Sequence, residues 1–378
     1  MTKKILLTIG ILAIIGVAVF LVLSEDTVAP ENGGGGFSLN NYFPFGKNEV
    51  VVDNNTDTST STEPTRSNQN INQPIPKVRK ISNEPVAGAV TFNSGTTTIV
   101  RFVERGTGNV YEARSDSAEV RRLTNTTIPK IIRAVWLNNG SGFLAQTLLP
   151  ENEIVETSFV ALVPNQAGTE ALTPFSTKIS KLPTDIKEIL VSTDSKKIFY
   201  YTISNGASFY LANPDGTGAK LVVSHPLSEW IPRYWKNAST VVLQTKESGR
   251  SPALFYALNT QTGTFSKEGS PIGKIQKSVA TIADKCALPI GSDSLIFCAV
   301  PESVPNNFPD SWYKGALSTT DSIMEIDTLN NVYYNKISLA TETDQKIDVS
   351  EIWLAKDKKQ VVVRNKIDGQ LWMIRLED

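Results

Sequence analysis

Histidine is almost absent from this 378-residue chain: His225 is the only one. A Ser-His-Asp arrangement would have to pass through it. No Gly-x-Ser-x-Gly elbow exists for a partner serine, and no α/β-hydrolase domain accompanies the rest. His225 precedes Pro226 at a seam between two repeats, which makes it a structural residue. Cysteine is nearly as scarce. Two cysteines and one histidine cannot close a zinc shell, so no metal site is expected. A run of basic residues is also lacking. With 37 basic and 38 acidic side chains the chain has no stripe that could neutralise a phosphate backbone, which excludes nucleic acid as a partner. Nor does any stretch after residue 85 keep a 3.6-residue apolar period beyond two turns, which excludes a helical bundle.

What is present is a repeated hairpin. Phe209 to Val222 (FYLANPDGTGAKLV) reads as an aromatic strand, a tight Pro-Asp-Gly turn and a second apolar strand. Weaker copies stand at FVERGTGNVYEA (102–113), FYALNTQTGTFSK (255–267) and MEIDTLNNVYYNK (324–336). An entry strand opens most units: IIRAVWL (131–137), IKEILVS (186–192), IPRYWKN (231–237), SVATIAD (278–284) and VSEIWLA (349–355). A second apolar strand follows each, and the hairpin supplies the third and fourth strands. Repetition at roughly 45–50 residues per unit marks a propeller. The units start near Val86, Pro129, Thr184, Ser228, Ile275 and Asp348. The sequence thus predicts an all-β, six-bladed β-propeller over 85–378, with a seventh blade left open by the length of 300–345. Ring closure is expected to pair LWMIRL (371–376) with the first unit, because an open propeller leaves strand edges exposed.

The N-terminal region reads differently. Ile5 to Leu23 is nineteen residues without a charge, between Lys3-Lys4 and Glu25-Asp26. That is about 28 Å of helix, close to the thickness of a bilayer core. Residues 1–24 are therefore expected to be a cytoplasmic tip and transmembrane signal anchor, which places everything beyond outside the cytoplasm. A cleaved signal peptide is the competing reading, with Val28-Ala29-Pro30 a poor cleavage site. Residues 25–84 read as a flexible spacer carrying an aromatic island at 37–52. Within it Tyr42, Phe43 and Phe45 either tuck onto a neighbouring surface or dock into a partner. Outside the membrane, Cys286 and Cys298 flank a hairpin whose length brings them opposite each other. A disulfide is expected there.

At Tyr210, Leu211, Asp215, Gly216 and Leu221 the chain resembles the repeat of TolB-type periplasmic propellers and of the propeller domains of prolyl oligopeptidase relatives. The resemblance implies the fold. Asp-Gly has its own physical reading, since it supplies the positive φ angles of a tight hairpin. The chain also resembles membrane-anchored envelope proteins of small-genome bacteria, through GGGGFSLNNYFPFG (33–46), RFVERGTGNVYEA (101–113), TNTTIP (124–129), KCALP (285–289), CAVP (298–301) and PDSWYKG (309–315). That likeness implies topology and lends nothing to mechanism.

The six tryptophans invite a carbohydrate-binding reading. Trp136 and Trp353 occupy equivalent entry-strand places, however, which favours core packing. Trp312 and Tyr313, with Phe308 and Pro309, belong to the insertion 301–318. They form either an exposed aromatic surface for a partner or a lid over one face. The expectation is a non-enzymatic, cofactor-free module that binds or scaffolds an envelope protein. A glycan- or peptide-processing propeller is the alternative, and a surface-layer component the third. Three or more ionisable groups meeting at the channel mouth would weigh against the scaffold.

Overall fold

The computed structural model describes residues 74–149, 154–166, 172–246, 254–269, 279–287 and 294–377. The proposed anchor Ile5–Leu23, the island with Tyr42, Phe43 and Phe45, and the first part of the spacer lie outside the described residues. Among the described residues no helix is long and apolar enough to cross a membrane.

Six four-stranded antiparallel sheets make the ring. Blade one is β2 (Val86–Ser94), β3 (Thr97–Glu104), β4 (Val110–Arg114) and β5 (Val120–Arg122). Blade two is β6 (Ile131–Trp136), β7 (Gly142–Leu149), β8 (Ile154–Pro164) and β9 (Phe175–Lys181). Blade three is β10 (Ile186–Val191), β11 (Ile198–Ile203), β12 (Ala207–Ala212) and β13 (Lys220–His225). Blade four is β14 (Trp230–Asn237), β15 (Thr240–Thr245), β16 (Phe255–Asn259) and β17 (Phe265–Glu268). Blade five is β18 (Cys286–Ala287), β19 (Leu295–Pro301), β20 (Asp321–Asp327) and β21 (Val332–Ser338). Blade six is β22 (Val349–Leu354), β23 (Gln360–Asn365) and β24 (Leu371–Arg375), completed by β1 (Val78–Lys80). Two short helices, α1 (Asp310–Tyr313) and α2 (Leu339–Thr343), sit in the connections of blade five and between blades five and six.

The second strand of a blade is covered on both faces, so it carries apolar residues in runs and not in alternation. Val241, Val242 and Leu243 of β15, and Val361, Val362 and Val363 of β23, have no exposed surface. Apolar clusters fill the spaces between blades one and two, two and three, three and four, five and six, and six and one. Six blades settle the number that the sequence left between six and seven.

Four sequence expectations change. Closure does not run from the last strand to the unit at Val86. β24 pairs instead with β1, with Val78 opposite Ile374 and Lys80 opposite Trp372. Those three residues belong to the stretch read as spacer; their short apolar content hid them, yet they cover an edge that would otherwise stand open. The described part of SVATIAD is not a strand: it leads into a 3-10 turn, Ala283–Lys285, and among the described residues the inner strand of blade five is β18. Its buried polar groups bond outside any ladder of their own, as when the Thr281 hydroxyl donates to the Ala299 carbonyl at 2.7 Å. The hairpin copy at 102–113 joins the second and third strands of its blade, β3 and β4, while the other three join third and fourth strands. The fourth is a choice between two readings: Trp312 in α1 is buried, which takes the lid and not the exposed surface.

The hairpin at Asp215 is turn chemistry. Gly216 has φ +84°, and Asp215 Oδ1 accepts from the Thr217 amide at 3.0 Å and the Thr217 hydroxyl at 2.6 Å. Those Thr217 bonds hold the Asp215 carboxyl below the ordinary range.

Candidate functional site: a charged ring in the central channel

The inner strands carry an irregularity at nearly the same place. Ladder register shifts between Val86 and Gly88, Ile131 and Arg133, Ile186 and Glu188, and Val349 and Glu351; in β14 it shifts between Pro232 and Tyr234, around Arg233. In a regular strand, residues two apart share a face. A bulge re-aims the second of them. Val86, Ile131, Ile186 and Val349 are thus buried between blades, while Arg133, Glu188 and Glu351, two positions after the last three, line the channel. Blade one has Gly88 at this position, blade two Arg133, blade three Glu188, blade four Arg233 and blade six Glu351. Blade five contributes Asp284 from its 3-10 turn.

These side chains pair around the ring. Arg133 Nη1 bonds Glu188 across blades two and three. Arg233 Nη1 meets Asp284 Oδ1 at 2.8 Å across blades four and five. Arg364, from β23, meets Glu351 Oε1 at 2.8 Å and donates to the Val86 carbonyl at 3.1 Å. Three guanidiniums and three carboxylates therefore converge with no net charge. They keep 14–37% of their side-chain surface open, and all but Arg364 line a cavity of about 1240 Å³ walled by the inner strands of all six blades. Phe92, Ile189, Tyr234, Ile352 and Trp353 supply its apolar wall. Arg233 Nη2 is buried without a hydrogen-bond partner among the described residues, as is Gln244 Nε2 beside it. A buried donor in that state carries a cost that a water or a bound group reaching it would offset.

The ring separates its carboxyls electrostatically. Burial would push the Asp284 carboxyl up, but Arg233, the Tyr313 hydroxyl at 2.7 Å and Arg133 together hold it below the ordinary range. Burial dominates at Glu351 and, with Asp284 and Glu188 nearby, pushes it up despite Arg364 and Arg133. Burial opposes the charge on Arg133, yet Glu188, Glu351 and Asp284 raise its proton affinity. The stability consequences have opposite signs. The contribution of Asp284 is present above the unfolded carboxylate pKa and is lost as pH falls through its depressed value. That of Glu351 is present at acidic pH and is lost as pH rises through its elevated value. A carbon-detected NMR titration from neutral pH downward should show Glu351 protonating before Asp284, and Tyr313→Phe should move Asp284 upward. The reverse order, or an unmoved Asp284, would overturn this electrostatic account.

The sequence-expected residues fall elsewhere. Cys286 and Cys298 lie opposite each other on β18 and β19 and form a disulfide. Trp312 is buried with Nε1 on Asp348, Phe308 is half-buried, and Tyr313 is exposed but holds Asp284. The insertion is therefore a lid whose tyrosine touches the ring, not an aromatic surface built on Trp312. Trp136, Trp230 and Trp372 are buried; Trp235 and Trp353 are half-buried. His225 packs against Trp230 and Phe265 and accepts from the Leu227 amide at 3.1 Å. Glu156 pairs with Lys181 on the outer strands of blade two. The ring itself was missed, although the aligned entry strands print it in their third column: Ile-Ile-Arg, Ile-Lys-Glu, Ile-Pro-Arg, Val-Ser-Glu.

Neither a known family profile nor a curated protein matches the chain in sequence. Solved structures match it in fold. TolB from Acinetobacter baumannii aligns over 72% of this chain and 61% of its own, at 9% identity and TM-score 0.39. Oligogalacturonate lyase from Vibrio parahaemolyticus aligns over 80% and 94%, at 11% identity and TM-score 0.41. Tricorn protease aligns over 76% and 29%, at 12% identity and TM-score 0.38. The likeness is one of β-propeller fold. The chain spans less than two thirds of the TolB and tricorn chains, and at these scores nothing of their activities transfers.

Proposed function

We propose that the protein is a membrane-anchored, extracytoplasmic propeller that binds a mixed-charge peptide segment of an envelope partner in its central channel. The observation that carries this reading is the self-neutralised ring of three guanidiniums and three carboxylates opening on a cavity of about 1240 Å³. That volume exceeds the usual range for a small-molecule pocket, roughly 300–1,000 Å³. A peptide with both charge signs can exchange partners with the ring without leaving a charge unpaired. An all-acidic or all-basic ligand would strand one set. The anchor at Ile5–Leu23 and the Cys286–Cys298 disulfide support a location outside the cytoplasm.

The enzyme alternative gains ground twice: more than three ionisable groups meet over the cavity, which weighs against a plain scaffold, and carboxyls pushed in opposite directions, such as Asp284 and Glu351, resemble an acid and base pair. Against it, each carboxylate in the ring is already bonded to a guanidinium. A single assay addresses both readings: fluorescence anisotropy of labelled heptapeptides with the full-length, detergent-solubilised chain. Mixed-charge peptides should bind, with affinity falling at least about tenfold in Arg233→Gln and Glu351→Gln, as expected when one member of a partly buried charge pair at the binding surface is removed. Equal binding of all three charge classes, or no loss in the variants, would end the channel reading. Cleaved peptide in the same samples would favour the enzyme.

A further inference from the structure

Blade five holds a second charged cluster, sealed from the channel. Lys285 follows Asp284 in the 3-10 turn but runs inward and has no exposed surface. Its Nζ lies 2.5 Å from Asp321 Oδ2, 2.6 Å from Asp348 Oδ1 and 2.8 Å from the Thr319 hydroxyl. Both carboxyls are fully buried. Trp312 covers the amine, 5.0 Å from ring centroid to Nζ, and its Nε1 donates to both oxygens of Asp348 at 2.8 and 3.0 Å. Asp321 Oδ2 also accepts the Val349 amide at 2.8 Å.

Two carboxylates are closed off from solvent here with one ammonium between them, and the next cation, Lys366, stands on the Trp312 ring, its Nζ 4.1 Å from the centroid; a proton on one carboxyl lowers the cost of burying both. Burial pushes the Asp321 carboxyl up in spite of Lys285 and its other donors, so Asp321 is the one that takes the proton. Asp348 accepts the Trp312 indole and the Lys285 amine. The result is an amine against a neutral carboxylic acid, water excluded, with a second carboxylate placed to carry protons. Those are the requirements for amide formation.

We propose that Lys285 and Asp321 condense into an intramolecular isopeptide bond, with Asp348 moving the protons. Lys285 gives one proton to Asp348 and adds as the neutral amine to Asp321 Cγ. The Val349 N–H stabilises the oxygen that gains charge. A second amine proton passes through Asp348 to the departing hydroxyl. One C–O bond breaks, one N–C bond forms and one water leaves; Asp348 ends with one proton, and no oxidant is needed. The position has a mechanical sense. Among the described residues the inner strand of blade five has two, where the other inner strands have six to nine. Lys285 to Asp321 and Cys286 to Cys298 would tie successive residues of this short segment to β20 and β19.

Mass spectrometry of the full-length, reduced and alkylated protein tests this. The expected result is a chain one water lighter than its sequence, with a branched peptide joining Lys285 to Asp321. Asp348→Asn, which keeps the shape and the contact with Trp312, should fold with a wild-type circular dichroism spectrum and carry the full sequence mass. Unmodified peptides containing Lys285 and Asp321 from folded wild-type protein would overturn the proposal. So would a water loss confined to the Asp321 peptide, as a succinimide would produce. Equal water loss in Asp348→Asn would overturn the role given to Asp348.

Discussion

Gly88→Val is expected to destabilise the propeller by more than about 4 kcal/mol, the extreme end for a single substitution. A Cβ at Gly88 would lie 1.9 Å from the Ala134 carbonyl oxygen and 3.2 Å from the Ala134 Cβ. The obstacle is the backbone of the neighbouring inner strand, which cannot step aside as a flexible side chain could. Where blade two needs Arg133 to reach the ring, blade one must offer no side chain at all. The same carbonyl edge of Gly88 also accepts the Trp136 indole at 3.1 Å, so displacing the strands would orphan a buried donor. Urea denaturation measures the effect, with Gly106→Ala as the control. Nothing lies within 4 Å of a Cβ at Gly106, and a change within about 0.5 kcal/mol is expected there. A wild-type midpoint for Gly88→Val would refute the close approach of β2 and β6.

The second large effect belongs to ring closure. Replacing Val78 to Ile81 by Gly-Ser-Gly-Ser in the full-length chain is expected to remove roughly 3–6 kcal/mol. Val78 and Ile81 are both buried, and burial of each such side chain stabilises by about 1.5–3 kcal/mol. The Arg375 amide bonds the Lys77 carbonyl at 2.8 Å and the Ile81 amide the Leu371 carbonyl at 2.9 Å; β1 between them covers the outer edge of β24. Without it that edge, with Trp372 and Ile374, becomes a template for intermolecular pairing. Differential scanning calorimetry at two protein concentrations reads both consequences: a lowered transition and concentration-dependent aggregation. An unchanged transition would mean that β24 is closed by something other than β1.

Both expectations rest on contacts that span the chain, and the same distinction separates what was legible in the sequence from what was not. The blades were legible because their signals are local. Asp215-Gly216 specifies a turn within four residues, and a solid apolar run such as Val361–Val363 specifies a strand covered on both faces. The Cys286–Cys298 pair was legible for the same reason, since a hairpin of fixed length sets its ends opposite each other. Where local signals were weak the reading failed. Val78–Lys80 is three residues long, and SVATIAD has strand-like spacing but hands its buried polar groups to partners elsewhere. Trp312 stayed between an exposed surface and a lid because an insertion breaks the repeat; Asp348, 36 residues away, draws its indole inside and decides for the lid.

The charged ring marks the boundary most clearly. By itself the sequence determined the architecture, the turn chemistry and the third-column alternation of Arg133, Glu188, Arg233 and Glu351, because periodicity and turn stereochemistry act between near neighbours. Only the tertiary structure decided that these residues meet. Arg133 and Glu188 are 55 residues apart, and Arg233 and Asp284 are 51. Each pair becomes neighbours only when consecutive blades pack side by side, and a bulge in each regular inner strand turns the third residue into the channel. Charge pairing of that kind depends on distances that no linear spacing carries.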